Sequence, residues 1–204
     1  LTKHAKLAGA DGALLITPYY NKPTQEGLYR HYTAVAEAVD LPLLLYNIPG
    51  RTGVNMLPST IARLSDMKTI VGVKEGSGSV QQASDIVQMC GDRLTVLAGD
   101  DSLTLPMMAV GGKGVITVTA NIVPMEMAGL VKAFAEGRID EARRIHFKLS
   151  PLFAALFYET NPIPVKEALG LMRKIDPELR LPLCPMAQDT REKLIRVLKD
   201  AALI

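Results

Sequence analysis

Five short apolar runs recur along the first 120 residues: GALLIT (12–17), LPLLLY (41–46), TIVGVK (69–74), LTVLAG (94–99) and KGVITVTA (113–120). Each is six to eight residues long and rich in Val, Ile and Leu, and none alternates polar with apolar positions. Strands of a parallel sheet covered on both faces show this pattern, so the runs predict five such strands. Helical patterns fill the gaps. TQEGLYRHYTAVAEAV follows the first run, with Thr24 placed as its cap, and LPSTIARLSD follows the second, with Pro58 near its start. SVQQASDIVQMCG follows the third and stops at Gly91, and SLTLPMMAVGG follows the fourth. Strands alternating with helices predict parallel βαβ units.

Strand signals stop after Asn121. Four helical patterns take over: PMEMAGLVKAFAEG, DEARRIHFKLSPLFAALFYE, PVKEALGLMRKI and DTREKLIRVLKDAAL, the last with Asp189 and Glu192 at capping-box spacing. A doubly wound nucleotide-binding sheet would carry a GxGxxG turn after an early strand, and none is present. The glycines of GSGSV (76–80) and VGGKG (110–114) lie in the wrong context for phosphate and predict turns. The expected fold class is α/β: a (β/α)8 TIM barrel, represented by about strands 4–8, with a C-terminal helical extension. Residues 1–137 form the five-strand portion and residues 138–204 the helical domain. Five strands cannot close such a barrel, and the chain starts at Leu1, without methionine, as though inside a helix. The first three strands are expected upstream, and the 204-residue piece is expected to be inactive alone.

Composition narrows the function. The chain is 48% hydrophobic and 22% charged, with a net charge of +2, ordinary values for a soluble globular protein. Basic residues are scattered, with no run to track a phosphate backbone, which argues against nucleic-acid binding. No apolar stretch reaches the ~20 residues that span a bilayer, and no signal peptide is visible, so a cytoplasmic location is expected. Trp is absent and Phe is sparse, so the core must be aliphatic. Cys90 and Cys184 lie far apart and outside any CxxC or Cys/His cluster, and are expected to be reduced structural thiols. His4, His31 and His146 fall in helical stretches rather than at strand ends, so no metal site is expected.

In a barrel, chemistry gathers where strands end. The five runs end in Thr17-Pro18-Tyr19-Tyr20-Asn21, Tyr46-Asn47, Lys74-Glu75-Gly76, Gly99-Asp100-Asp101 and Thr117-Val118-Thr119. Lys74 stands out because VGVK would bury its stem, and desolvation lowers a lysine pKa. An amine that is neutral near pH 7 must lie roughly 3 pH units below its ordinary ~10.4, about 4 kcal/mol of differential solvation. Such an amine condenses with a ketone to a Schiff base, with no metal or cofactor required. A plain surface lysine at a strand end is the competing reading. Glu75, next along the strand, points to the opposite face and is expected to make a structural hydrogen bond there. Tyr46 ends the neighbouring strand, close enough to Lys74 to exchange a proton, or only to pack at the rim. Arg51, in PGRTG, either turns over the barrel mouth to grip a carboxylate or sits solvated in its loop. Asp100 and Asp101 are expected as loop and N-cap residues, since adjacent acids face different ways.

YNIPGRTG, Lys74 in GVKEGSG 23 residues beyond Arg51, TPYYNKP upstream, GDD and GVITVTAN downstream, and NPIPVKEAL in the tail resemble the dihydrodipicolinate synthase family of pyruvate-dependent class I aldolases. The resemblance runs over essentially the whole chain. Arg51 separates it from the related N-acetylneuraminate lyases, which do not usually keep an arginine after the YxxP motif. The resemblance implies that Lys74 forms a Schiff base with pyruvate, whose enamine attacks L-aspartate 4-semialdehyde to give 4-hydroxy-tetrahydrodipicolinate, in lysine and diaminopimelate biosynthesis. It implies that Tyr46 donates and accepts protons, that Arg51 holds the semialdehyde carboxylate, and that Tyr20 belongs to a proton relay reaching into a neighbouring subunit. Ile116 would line the pyruvyl pocket, Gly99 would offer backbone contacts, and Tyr19 would belong to a lysine feedback site. A homotetramer built from tight dimers is implied as well. The family's paired threonines are not in this chain. Two alternatives stand beside this: a sister aldolase, lyase or dehydratase acting on another 2-keto acid, and a non-enzymatic barrel that serves as a binding module and needs no nucleophilic amine.

Overall fold

All five apolar runs form strands in the computed structural model, which describes residues 1–204: β1 (Ala13–Ile16), β2 (Leu43–Asn47), β3 (Ile70–Glu75), β4 (Thr95–Ala98) and β5 (Gly114–Val115). They pair in parallel in the order β1-β2-β3-β4-β5, so chain order and spatial order agree. The helices are α1 (Thr2–Leu7), α2 (Gln25–Ala38), α3 (Pro49–Thr52), α4 (Pro58–Leu64), α5 (Val80–Cys90), α6 (Thr104–Ala109), α7 (Pro124–Ala135), α8 (Ile139–Ala155), α9 (Ile163–Leu171) and α10 (Gln188–Asp200). By contacts the chain divides into two compact units, Leu1–Ile116 and Thr117–Ile204.

In the first unit, one face of the sheet supplies Leu43, Leu45, Ile70, Val73, Val96 and Ala98 to a core closed by Leu28, Ile61, Leu64 and Ile86 from the helices. The core is aliphatic apart from Tyr32, a fully buried phenol that donates to the Leu15 carbonyl at 3.3 Å. Local signals set the helix ends. The Thr24 hydroxyl accepts the Gly27 N–H at 3.2 Å and starts α2, Pro58 opens α4, and α5 stops at Gly91, whose φ is +56°.

The sheet is unclosed, as five strands must be, and its last strand is shorter than expected. Its second face is not fully covered: Leu14 is 45% and Ile16 41% exposed, and Tyr46 and Lys74 on the same face are half-buried. Unbroken apolar character permits burial on both sides but does not by itself supply the cover. The last run, expected as a strand over 113–120, pairs only at Gly114–Val115. The Ile116 N–H adds one further bond to the Ala98 carbonyl, at 2.9 Å. Beyond it the Thr117 hydroxyl accepts the Ala120 N–H at 3.1 Å and residues 119–121 tighten into a 3₁₀ turn, because a threonine side chain offers the backbone an alternative to the ladder.

The second unit is helical, with Leu130, Ala133, Ala142, Leu152, Leu156, Ala168, Leu194 and Leu198 buried. The expected capping box does not form. The N-cap of α10 is Ala187, two residues before Asp189, which lies inside the first turn opposite Lys193. The Glu159 carboxylate takes over, accepting the Ala187 N–H at 2.9 Å and the Thr190 hydroxyl. Cys90 is buried, with burial pushing its thiol pKa up, whereas Cys184 is exposed and is no structural core thiol. His4, His31 and His146 lie in α1, α2 and α8 as expected. No helix is long and apolar enough to cross a membrane.

Candidate active site

Register brings the chemistry together. Tyr46 and Lys74 are Cα partners at the C-terminal ends of β2 and β3. Both point to the half-open face, and the Lys74 Nζ lies 4.3 Å from the centroid of the Tyr46 ring. Burial holds the Lys74 amine below the usual lysine range, and the Asp101 carboxylate works against that effect. The direction is the one a nucleophilic amine needs: desolvation disfavours the ammonium. Burial also pushes the Tyr46 phenol up, with the Arg51 guanidinium pulling it partly back. Burial thus keeps the Tyr46 phenol in the protonated form that a general acid needs, beside an amine whose ammonium is disfavoured.

Arg51 sits in α3, a single helical turn where an open loop was expected. Pro49 pre-sets the first position of that turn, and Gly53 ends it in the left-handed region at φ +70°. A Cβ at Gly53 would also meet Cε of Lys22 at 3.0 Å. Arg51 is exposed, yet its charge reaches the Tyr46 phenol.

The end of β4 divides its acids. Asp100 is the cap of a 3₁₀ turn, accepting from the Ser102 N–H at 3.0 Å. Asp101 is 2% exposed and acts on Lys74. Sequence reasoning treated both as loop or cap residues and missed the second; its signal was the position, just past the strand adjacent to β3. Gly99 lies against bare backbone: a Cβ there would come within 2.9 Å of the Gly76 Cα and 3.0 Å of the Glu75 carbonyl oxygen. Its N–H is spent on that carbonyl at 2.7 Å, so any contact it offers a ligand must use its C=O. Ile116 is partly buried one residue past β5. Tyr19 and Tyr20 are 63% and 93% exposed, and neither is packed into the Lys74–Tyr46 pair. Tyr20 also carries a positive φ of 54°, which costs energy in a residue with a Cβ.

Glu75, on the opposite face from Lys74, is 2% exposed. It accepts from Asn47 Nδ2 at 3.0 Å, Gln82 Nε2 at 3.1 Å and the Ser77 N–H at 2.7 Å. The expected structural role away from Lys74 is what the geometry shows.

Residues 1–201 match the Dihydrodipicolinate synthetase family. The 4-hydroxy-tetrahydrodipicolinate synthase of Geotalea daltonii is 61% identical over 204 residues, covering 100% of this chain and 70% of that protein. The chain belongs to the dihydrodipicolinate synthetase family. Dihydrodipicolinate synthase from Thermotoga maritima matches with a TM-score of 0.97 at 47% identity, over 100% of this chain and 70% of that one. The chloride-inhibited enzyme from Acinetobacter baumannii, complexed with pyruvate, matches with a TM-score of 0.97 at 48% identity over the same shares. The sheet and helices are therefore those of a partial TIM barrel with C-terminal helices. As a dihydrodipicolinate synthetase family member, the chain places Lys74, Tyr46 and Asp101 at the rim where barrel enzymes put their chemistry.

Proposed function

We propose that this member of the dihydrodipicolinate synthetase family condenses pyruvate with L-aspartate 4-semialdehyde, giving 4-hydroxy-tetrahydrodipicolinate for lysine and diaminopimelate biosynthesis. One observation carries the mechanism: a half-buried amine, held below the ordinary lysine range, against the ring of a phenol held protonated. In its unprotonated form the Lys74 Nζ adds to the C2 carbonyl of pyruvate and forms a carbinolamine. Tyr46 donates a proton to the departing hydroxyl, water leaves and the imine forms. The imine draws electrons from C3, which loses a proton to give an enamine. The enamine carbon attacks the aldehyde, forming the C–C bond and regenerating the imine, while the aldehyde oxygen takes up a proton to become the 4-hydroxyl. The amino group of the semialdehyde then adds to the imine carbon, the ring closes, and Lys74 is expelled as a free amine.

Arg51 suits the carboxylate of the incoming semialdehyde, since a guanidinium fork binds carboxylates bidentately and this one lies near enough to act on Tyr46. Ile116 lines the pyruvyl end of the site, and the Gly99 carbonyl is available for a backbone contact. Tyr20 projects to a neighbouring subunit's site and Tyr19 takes part in lysine feedback; their exposure and the strain accepted at Tyr20 support outward projection. The assembly is a cytoplasmic homotetramer of tight dimers.

The test is a steady-state assay of the full-length protein with both substrates, beside an assay of N-acetylneuraminate cleavage. Condensation with the semialdehyde is expected, and Arg51→Ala should raise the KM for the semialdehyde at least tenfold while pyruvate is still captured. Cleavage of the sugar acid without condensation would hand the reading to the sister lyase.

A further inference from the structure

The mechanism uses Lys74 and Tyr46 but leaves their next neighbours, Glu75 and Asn47, unemployed. Both are fully buried polar residues at the ends of their strands, at 2% and 0% exposure, and they are Cα partners just as Tyr46 and Lys74 are. Asn47 Nδ2 donates to Glu75 Oε2 at 3.0 Å and to Asn55 Oδ1 at 2.8 Å, and Asn47 Oδ1 accepts the Met56 N–H at 2.9 Å. Asn55 and Gln82 exchange two amide hydrogen bonds, at 2.9 and 3.1 Å, and Gln82 Nε2 returns to Glu75 Oε2 at 3.1 Å. Four side chains thus close a ring whose outer connections run to the backbone of Ser77 and Met56.

The ring ties together four places that the chemistry needs held still: the end of β2, the end of β3, the segment following α3, and α5. Alternation along a strand means that fixing Asn47 and Glu75 on one face fixes Tyr46 and Lys74 on the other. The Gly76 N–H on the Asn47 carbonyl, at 2.8 Å, locks the same two ends once more through the backbone. A ring with every member satisfied is rigid, while one with a member removed leaves buried donors unmet.

We propose that Glu75 is a positioning residue for Schiff-base chemistry, acting through Asn47 to hold the Tyr46 ring against the Lys74 amine. This rests on the Schiff-base reading above. Glu75→Gln keeps the shape but turns one acceptor oxygen into a donor, so it faces either the Asn47 and Gln82 amides or the Ser77 N–H with a like group. A misplacement of the reacting groups by about 1 Å can cost about a hundredfold in rate.

The experiment is kinetics of full-length Glu75→Gln, Asn47→Ala and the double variant, with the pH profile of pyruvate imine formation, trapped by borohydride. Expected for Glu75→Gln is a fall in kcat of at least tenfold with pyruvate KM changed less than threefold. The acid limb of imine formation should move to higher pH, because an amine displaced from its shelter regains its proton more readily. The charged groups acting on the site, Asp101 and Arg51, remain unaltered. The double variant should lose no more than the worse single variant, since both act through one ring. Wild-type kcat and pH profile in Glu75→Gln, or fully multiplicative losses in the double variant, would overturn the proposal. If Glu75→Gln does not fold, Asn55→Ala opens the same ring from its half-buried side and should shift the profile in the same direction; an unchanged profile there overturns it equally. Absence of any imine on Lys74 in the wild type would instead defeat the Schiff-base reading, so the two failures are distinct.

Discussion

Lys74 stands between two opposing influences, burial that disfavours its ammonium and the Asp101 carboxylate that favours it. The balance is testable by sign. Asp101→Asn removes the group that raises the amine's pKa, so the acid limb of pyruvate capture should move to lower pH; movement to higher pH would show that Asp101 shelters the amine rather than charging it. Tyr46→Phe keeps the ring but deletes the proton donor. Imine formation should slow by between a hundredfold and ten-thousandfold, the range typical of a lost general acid, in stopped-flow measurements with pyruvate. Lys74 and Tyr46 were legible in the sequence because each closes an apolar run, and strand pairing then leaves little choice of neighbour. Asp101 was not: its electrostatic reach to Lys74 depends on the turn that Asp100 caps, and two adjacent acids give no hint which one turns inward.

At the level of elements, close backbone approach sets the tolerance of the rim. A methyl group at Gly99 would meet Gly76 and Glu75 main-chain atoms within about 3 Å, which flexible side chains cannot relieve. Gly99→Ala should cost about 1–3 kcal/mol, the usual scale of overpacking, as a lower urea midpoint. Thr24→Ala removes the cap of α2 and should cost about 1 kcal/mol in the same measurement. Helix starts such as Thr24 and Pro58 were readable because the signal is local: the Thr24 hydroxyl bonds its own first turn, and Pro58 has its φ pre-set for the first helical position. The capping box at Asp189 misled because a distant side chain, Glu159, reached that helix end first, and sequence spacing carries no record of such a competitor. The one-turn α3 went unread for a similar reason: PGRT is too short for periodicity, and its helical form depends on Pro49 and Gly53 acting together.

Over the whole molecule, the strand–helix alternation yielded the parallel sheet, because parallel neighbours need crossovers and the chain supplies helical connections, and its sequential order followed from choosing a barrel over a doubly wound sheet once no GxGxxG turn was found. The incomplete cover of the second sheet face accords with five strands being too few to close a barrel, although the apolar runs alone look the same whether or not anything lies over them. Covalent capture of substrate also has a global consequence: a ligand that engages only the folded state stabilises it. Pyruvate should raise the thermal midpoint of the full-length wild type, and the rise should vanish in Lys74→Ala. The most direct measurement is borohydride reduction of the full-length protein with pyruvate, followed by peptide mass spectrometry. A single reduced pyruvyl adduct on Lys74 is the expected result; an unmodified Lys74, or an adduct on another lysine, would contradict the account.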